Sequence, residues 1–392
     1  MAQTRSLIAE NFSITKGGPL HRLLVRLRHA GDDRKLVLRR ALAAVLIGWL
    51  PLLLLSLMQG LAWNRQIEIP FLRDLAVHVR FLVAVPILIV AESRIDRRWR
   101  SLVLEFLRSE LVNEESLPSF EAVLERTIRC RDRLLPEALL AFVAIFPSIT
   151  FLKNELLMTG TSNWHSVGAG EVSAAGHWFT YVSTPIFRFL LLRWFWRMFL
   201  WTSLLWSVSR INLFLVATHT DLAGGLGFLS EGQKAFSPIV FAGGAVIAAE
   251  VGNAIAYQGA TLSSAKFPMI AYGVLAILFL IAPLLVVLPV LLKVKRKGLL
   301  EYGAQVTIHN QLFEQKWIQK ERPAGETLLG NPDASSLADL GSSFTVVRQM
   351  RLVPIDKPTL IALAISAALP MVPVVLYATP TPELIRMLKM LG

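Results

Sequence analysis

The sequence predicts an all-α fold: a polytopic transmembrane helical bundle of about seven spans, with cytoplasmic amphipathic helices attached. Three observations predict it. Of the 392 residues, 54% are hydrophobic and only 17% are charged, whereas soluble domains carry about 25% charge. Apolar runs recur along the chain, most of them near the roughly 20 residues that cross a hydrocarbon core about 30 Å thick. Lysine and arginine crowd into alternate connections, as they do where loops stay in the cytoplasm. The apolar excess excludes a soluble multidomain protein and a disordered one. The single Cys130 excludes a disulfide framework and a multi-thiolate metal centre.

Residues 1–40 are polar and basic. They precede an apolar run too long for a signal-peptide core, so no cleaved leader is expected. The first span, Ala41–Trp63, carries no charge. The second, Phe71–Glu92, is polar in its outer half. The third runs from Glu137 to about Phe151 and is short, extending toward Met158. The fourth, Trp178 to about Trp206, contains arginines. The fifth is Phe236–Gln258, the sixth Phe267–Leu292, and the seventh Pro358 to about Thr379. The domain plan is therefore 1–40 cytoplasmic, 41–92 spans one and two, 93–135 a cytoplasmic helical hairpin, 136–292 spans three to six, 293–356 a cytoplasmic helical segment, 357–379 span seven, and 380–392 a short tail. Helix is the form expected of every span, because backbone polar groups in lipid must be satisfied within the segment.

Nine basic residues lie in 1–40, nine in 93–135 and ten in 293–357. The opposite connections hold Arg65 alone in 64–70, none in 159–177, and Lys266 alone in 259–266. The N-terminus is thus expected in the cytoplasm and the C-terminus outside. The tail, with Arg386 and Lys389, is discordant; Leu384, Met387, Leu388 and Leu391 suit an interfacial helix. The net charge of +12 reads as a topology signal with anionic inner-leaflet lipid as partner. Nucleic acid is not expected, since the basic residues flank spans and acids nearly balance them in 93–135.

In 93–135, Phe120, Val123, Leu124, Thr127, Ile128 and Leu134 recur at helical spacing, with Pro118 in the first turn. In 298–356, Leu299, Tyr302, Val306, Phe313 and Trp317 suggest that span six continues as a helix past the membrane. Ser336 to Asp339 resembles a capping arrangement, with Leu337, Leu340, Phe344 and Val347 behind it.

Charges within spans need a partner, water or a purpose. Asp74 and His78 are four apart, which places them on one helix face, and Arg73 and Arg80 share another. Arg80, Arg188 and Glu250 come out at similar depth, so Glu250 is expected to pair with Arg188 or Arg80, or both, with Asp74, His78 and Asn253 around a polar cavity. Gly244, Ala248, Gly252 and Ala256 form a small-residue ridge that permits close helix approach. Arg193 and Arg197 suit snorkelling to headgroups, or a cation–π contact with Trp201. The prolines are read as static kinks, with hinges as the alternative.

No phosphate-binding loop, zinc-protease or hydrolase motif occurs. No cofactor or metal is implied, and an enzyme is the least favoured reading. The connection from Thr218 to Leu229 allows a nest of N–H groups at Gly224, Gly225 and Gly227, with His219 and Asp221 beside it. A tight connection with a capping aspartate and a site for an anion or lipid headgroup are both open. The loop Thr159–Gly176 reads as a flexible connector.

The stretch His219 to Leu229 (HTDLAGGLGFL), with its companion Leu328 to Leu340 (LLGNPDASSLADL), resembles segments of bacterial multi-pass inner-membrane proteins of uncharacterised activity. The resemblance covers roughly the second half of the chain. It implies a bacterial inner (cytoplasmic) membrane and carries over no catalytic residue. Two functions are in play: passage of a small, anionic solute or ion through a polar cavity, and a sensor or scaffold that holds a protein partner through 93–135 and 298–356.

Overall fold

A computed structural model describes residues 6–26, 34–63, 66–150, 162–167, 171–319, 327–328 and 331–379. The described chain is nearly all helical, in twelve helices. In order they are α1 (Leu7–Glu10), α2 (Gly18–Arg26), α3 (Lys35–Met58), α4 (Leu75–Arg108), α5 (Leu117–Arg131), α6 (Leu134–Thr150), α7 (residues 174–208), α8 (Leu229–Tyr257), α9 (Leu262–Leu285), α10 (Leu288–Phe313), α11 (Pro332–Gln349) and α12 (Lys357–Ala378). A two-stranded antiparallel hairpin, β1 (Ser166–Val167) and β2 (Glu171–Val172), precedes α7.

Five helices, α3, α4, α8, α9 and α12, are long and apolar enough to cross a membrane, against the seven expected. The two that fall short have different reasons. The described part of α6 spans only 17 residues, and its expected extension to Met158 lies outside the described residues. In α7, Arg188, Arg193 and Arg197 interrupt the apolar run. The tail from Pro380, with Arg386 and Lys389, also lies outside the described residues.

Prolines shape several helices. Pro51 has no N–H to offer Ile47, and the freed carbonyl accepts from Trp178 Nε1 at 3.0 Å, while Gly48 O takes Ser183 Oγ at 2.6 Å. Single π-turns occur at Val79–Ala84 in α4 and Phe179–Ser183 in α7, each just before a proline (Pro86, Pro185). Span six does not run on into the helix that follows it: α9 stops at Leu285 and α10 starts at Leu288, because Pro289 cannot donate to the Leu285 carbonyl. Nor does Ser336 cap α11. Asn331 does, accepting from Asp333 N at 2.9 Å with Pro332 behind it, and Ser336 lies inside the helix. The first helix of 93–135 proves to be the continuation of α4.

The main core lies at the basic end of the bundle. There Trp99 of α4 stacks on Trp201 of α7, with centroids 5.2 Å apart, and Phe236, Leu284 and Leu363 close around them. At the far end a second core joins Phe71, Phe81 and Trp164. The α8 ridge is used as its residues suggest. A Cβ on Gly244 would sit 2.7 Å from Ala367 O of α12, and one on Gly252 would meet Leu75 and Val374. Large apolar side chains remain exposed along α6, α7 and α9, among them Phe142, Phe195, Phe267 and Leu275, as suits surfaces that lipid covers.

Candidate functional site

The sequence-predicted polar residues gather at the far end, in an arrangement different from the expected one. Asp74 is not on a helix face with His78. It caps α4, and its Oδ1 accepts from Val77 N (3.2 Å) and Asn253 Nδ2 (2.7 Å), its Oδ2 from Trp164 Nε1 (2.8 Å). Asn253 Oδ1 accepts from Leu75 N at 3.1 Å. His78 instead accepts from Trp49 Nε1 at 3.0 Å. Arg73 turns outward over Trp63. Glu250 pairs with Arg80 and not with Arg188; Arg188 donates to Ser148 of α6 at 3.2 Å. The Arg80 guanidinium also lies over Phe179 and Phe187, so both π-turns meet at this point.

Trp164 is fully buried, so the described part of the 159–176 loop is a lid and not a loose connector. It is tied down by Trp164 N to Ile69 O (3.1 Å) and by Ser173 Oγ to Trp164 O (2.8 Å). His165 stacks on Trp164 at 3.8 Å. Burial pushes its pKa down to about 4; Asp74 opposes this and Arg80 adds to it.

A second charged cluster, not anticipated as such, lies at the basic end. Glu92 is 7% exposed and lies 3.0 Å from Arg197, 3.3 Å from Arg193 and 4.0 Å from Arg40. Arg193 is also 4.0 Å from Glu137. The arginines therefore neither snorkel nor meet Trp201; Arg197 lies over Trp194. Residues 6–20 strap across the cluster. Ser13 Oγ donates to the fully buried Asp96 (2.6 Å), Gly18 N to Asp132 (2.8 Å) and Leu20 N to Glu137 (2.8 Å). His21 on α2 is held below its ordinary pKa by burial, Arg40, Arg131 and Arg193. Arg197 Nη2 and Arg40 Nε are buried without hydrogen-bond partners. A void of about 20 Å³ lies among Thr15, Gly17, Arg131, Glu137, Arg193 and Arg197, which is room for one water. The signal was present in the sequence: two arginines four apart on span four, and a lone acid at the basic end of span two.

Between the two clusters, about 18 Å along α4 at 1.5 Å per residue from Arg80 to Glu92, Phe81, Val85, Leu88 and Ile89 are buried. The interval is apolar.

The glycine-rich connection holds its own anion. Asp221 accepts from Ala223 N (2.7 Å), Gly225 N (3.2 Å) and Gly227 N (2.7 Å), with His219 Nδ1 2.9 Å away. Those donors are thus taken from within, in place of an external headgroup. Burial pushes the Asp221 carboxyl up, but these bonds outweigh it and leave it below its ordinary value. Gly224 and Gly225 have positive φ (66° and 99°), and a Cβ on Gly227 would touch Asp221. The loop also fastens the segment that follows α11: Arg351 donates from N to Leu222 O (2.6 Å) and from Nη2 to Asp221 O (2.7 Å).

Among the described residues no cluster of three or more His, Cys, Asp or Glu could hold a metal ion. The chain has the helices of an integral membrane protein, and no family model, curated protein or solved structure matches it.

Proposed function

We propose that the chain is a seven-span protein of the bacterial inner membrane, N-terminus in the cytoplasm, and that it serves as a scaffold for a protein partner. Helices α6 and α7 are the two further crossings. The arginines of α7 lower its mean hydropathy, yet Arg193 and Arg197 point inward to Glu92, while Phe195 and Phe199 are exposed. Hydropathy counts a charge whichever way it faces.

The observation that carries the scaffold reading is the rigid attachment of α10 and α11. Arg351 keys their base to the Asp221 loop, Lys295 donates to Met350 O at 2.6 Å, and Lys316 and Trp317 both donate to Asp333 (2.8 and 3.1 Å) to lock the distal end. Leu300, Ala304, Ile308 and Leu312 follow at every fourth position of α10 and are exposed, a stripe fit for an apolar helix. Passage of an anion is the second reading, favoured by the buried, unpartnered nitrogens of Arg197 and Arg40. Arg80 Nε and His165 Nε2 of the far cluster are also buried without partners, but its carboxylates are engaged by Arg80, Asn253 and Trp164 and an apolar interval separates the clusters, which supports the scaffold instead.

A photo-crosslinking residue at Ile308 or Leu312 should give one discrete protein adduct in cells, lost when the other position becomes aspartate. Anion flux into proteoliposomes that falls in Arg197→Gln, with no such adduct, would overturn this reading. Reporter fusions at residues 327–328 and after Thr379 test the threading.

A further inference from the structure

A cleft of about 390 Å³ opens between α4 and α8 at the basic end, lined by Arg94, Arg97, Arg98, Ser101, Glu231 and Lys234. Four cations face one carboxylate there. Glu231 is held by Arg98 at 2.5 Å and lies 4.0 Å from Lys234. The guanidiniums of Arg94 and Arg97 have no acidic partner among the described residues, and both are exposed. Exposed cations clustered at a membrane edge mark the cytoplasmic side, and their convergence on one cleft also suits an anion.

Depth says which anion. Arg97 lies 22 residues from the far end of α4 at Leu75, and Lys234 lies 23 residues from the far end of α8 at Tyr257. At 1.5 Å per residue both are about 33–35 Å along their helices, just past a hydrocarbon core of about 30 Å. The lipid-side stripe of α4 changes character at the same level. Val83, Ile87 and Val90 are partly exposed above, and Arg94, Arg97 and Ser101 continue the stripe below. An acyl chain fits the first part and a phosphate the second.

We propose that this cleft binds the phosphate headgroup of an anionic phospholipid of the cytoplasmic leaflet, with Arg94, Arg97 and Lys234 as its donors, Arg98 held back by Glu231, and the acyl chains along Val90 and Ile87. The assignment rests on the membrane placement above and is independent of the scaffold reading.

The test uses the full chain in nanodiscs of phosphatidylcholine doped with phosphatidylglycerol, with bound lipid counted by native mass spectrometry. The wild type should retain phosphatidylglycerol preferentially. Arg94→Gln with Arg97→Gln should weaken that retention roughly 30-fold, from about one kcal/mol per basic residue at an anionic surface. Arg126→Gln with Arg129→Gln, the same charge change on exposed α5, should leave it within about twofold. Thermal unfolding of both variants in phosphatidylcholine alone checks that they fold. The proposal is overturned if the wild type shows no preference, if both double variants lose retention equally, or if millimolar inorganic phosphate displaces the lipid. The last result would assign the cleft to a soluble anion. Reporter fusions that place Arg97 outside would separately remove the placement.

Discussion

Glu92→Gln is the sharpest perturbation this structure offers. The carboxylate is 7% exposed and serves Arg197, Arg193 and Arg40 at 3.0, 3.3 and 4.0 Å. Each contact amounts to about 4–6 kcal/mol at an effective dielectric near 20, and desolvation of each ion offsets several kcal/mol of it. The net effect of removing the acid is less than the sum of contacts and more than one surface pair, because the buried Arg193 and Arg197 and the partly buried Arg40 are then left with only Glu137, 4.0 Å from Arg193. About 3–5 kcal/mol of stability should be lost, the range for a broken buried pair. Unfolding by SDS titration from mild-detergent micelles gives the midpoint and slope. Glu125→Gln is the control: Glu125 and Arg129 are both more than half exposed and 4.0 Å apart, and its midpoint should not move. A Glu92→Gln midpoint within error of the wild type would refute the reasoning, since it would mean that the arginines reach water or headgroups without the acid.

Three further outcomes follow from the geometry. Asp221→Asn should weaken the loop by about 1.5–3 kcal/mol, the range for hydrogen bonds to a charged group, seen as faster deuterium uptake around 223–227. Because the Asp221 pKa is depressed on folding, the wild-type contribution should be full above about pH 4 and lost as pH falls further; uptake that is unchanged in the variant would count against the nest. His165 acts in the same direction at higher pH, since its folded pKa of about 4 lies below the ordinary 6.5. The unfolded lid takes a proton first, so stability should fall between pH 6.5 and 4 by up to about 3 kcal/mol; protease resistance of the lid would report it, and His165→Phe should flatten the profile. Gly244→Ala places a methyl 2.7 Å from Ala367 O and should cost about 1–3 kcal/mol by overpacking, measured by the same SDS midpoint, whereas Gly273→Ala, with open space around its Cβ position, should cost almost nothing.

What could be seen in the sequence was set by whether a feature depends on one helix or on two. The apolar runs, the Gly244 ridge and the basic ends are properties of single helices, and their residues appear where periodicity puts them. The partners of Asp74 depend on where another segment lands. Trp164 sits in a polar loop that gives no apolar signal, yet it fills the core under Asp74 and supplies the donor. Helix-face arithmetic failed for Asp74 and His78 because Asp74 is a cap with extended backbone (ψ 92°), outside the helix to which the 100° rule applies. The choice between Arg80 and Arg188 likewise depended on which neighbour α8 touches. Pro289 carries the break in its own residue type: its missing N–H divides α9 from α10.

The two ion pairs between α4 and α8 bear on what kind of motion the bundle allows. Arg80 and Arg98 are 18 residues apart on α4, and Glu250 and Glu231 are 19 apart on α8. Both intervals come to about 27–29 Å, close to one hydrocarbon thickness, so each pair sits near a boundary where water and headgroups can reach it. Glu250 being half exposed fits that position. With both arginines on one helix and both acids on the other, a slip of one turn, 5.4 Å, separates both pairs together. Close packing of Gly244 on Ala367 fixes α12 to the same register. A carrier that alternates its access must rock or slide along some such seam; here each end of the seam carries a water-accessible ion pair worth about 0.2–1 kcal/mol, and the close packing of Gly244 on Ala367 adds to them. These contacts favour a body that keeps its register, with α10 and α11 fastened to it through Arg351 and Lys295.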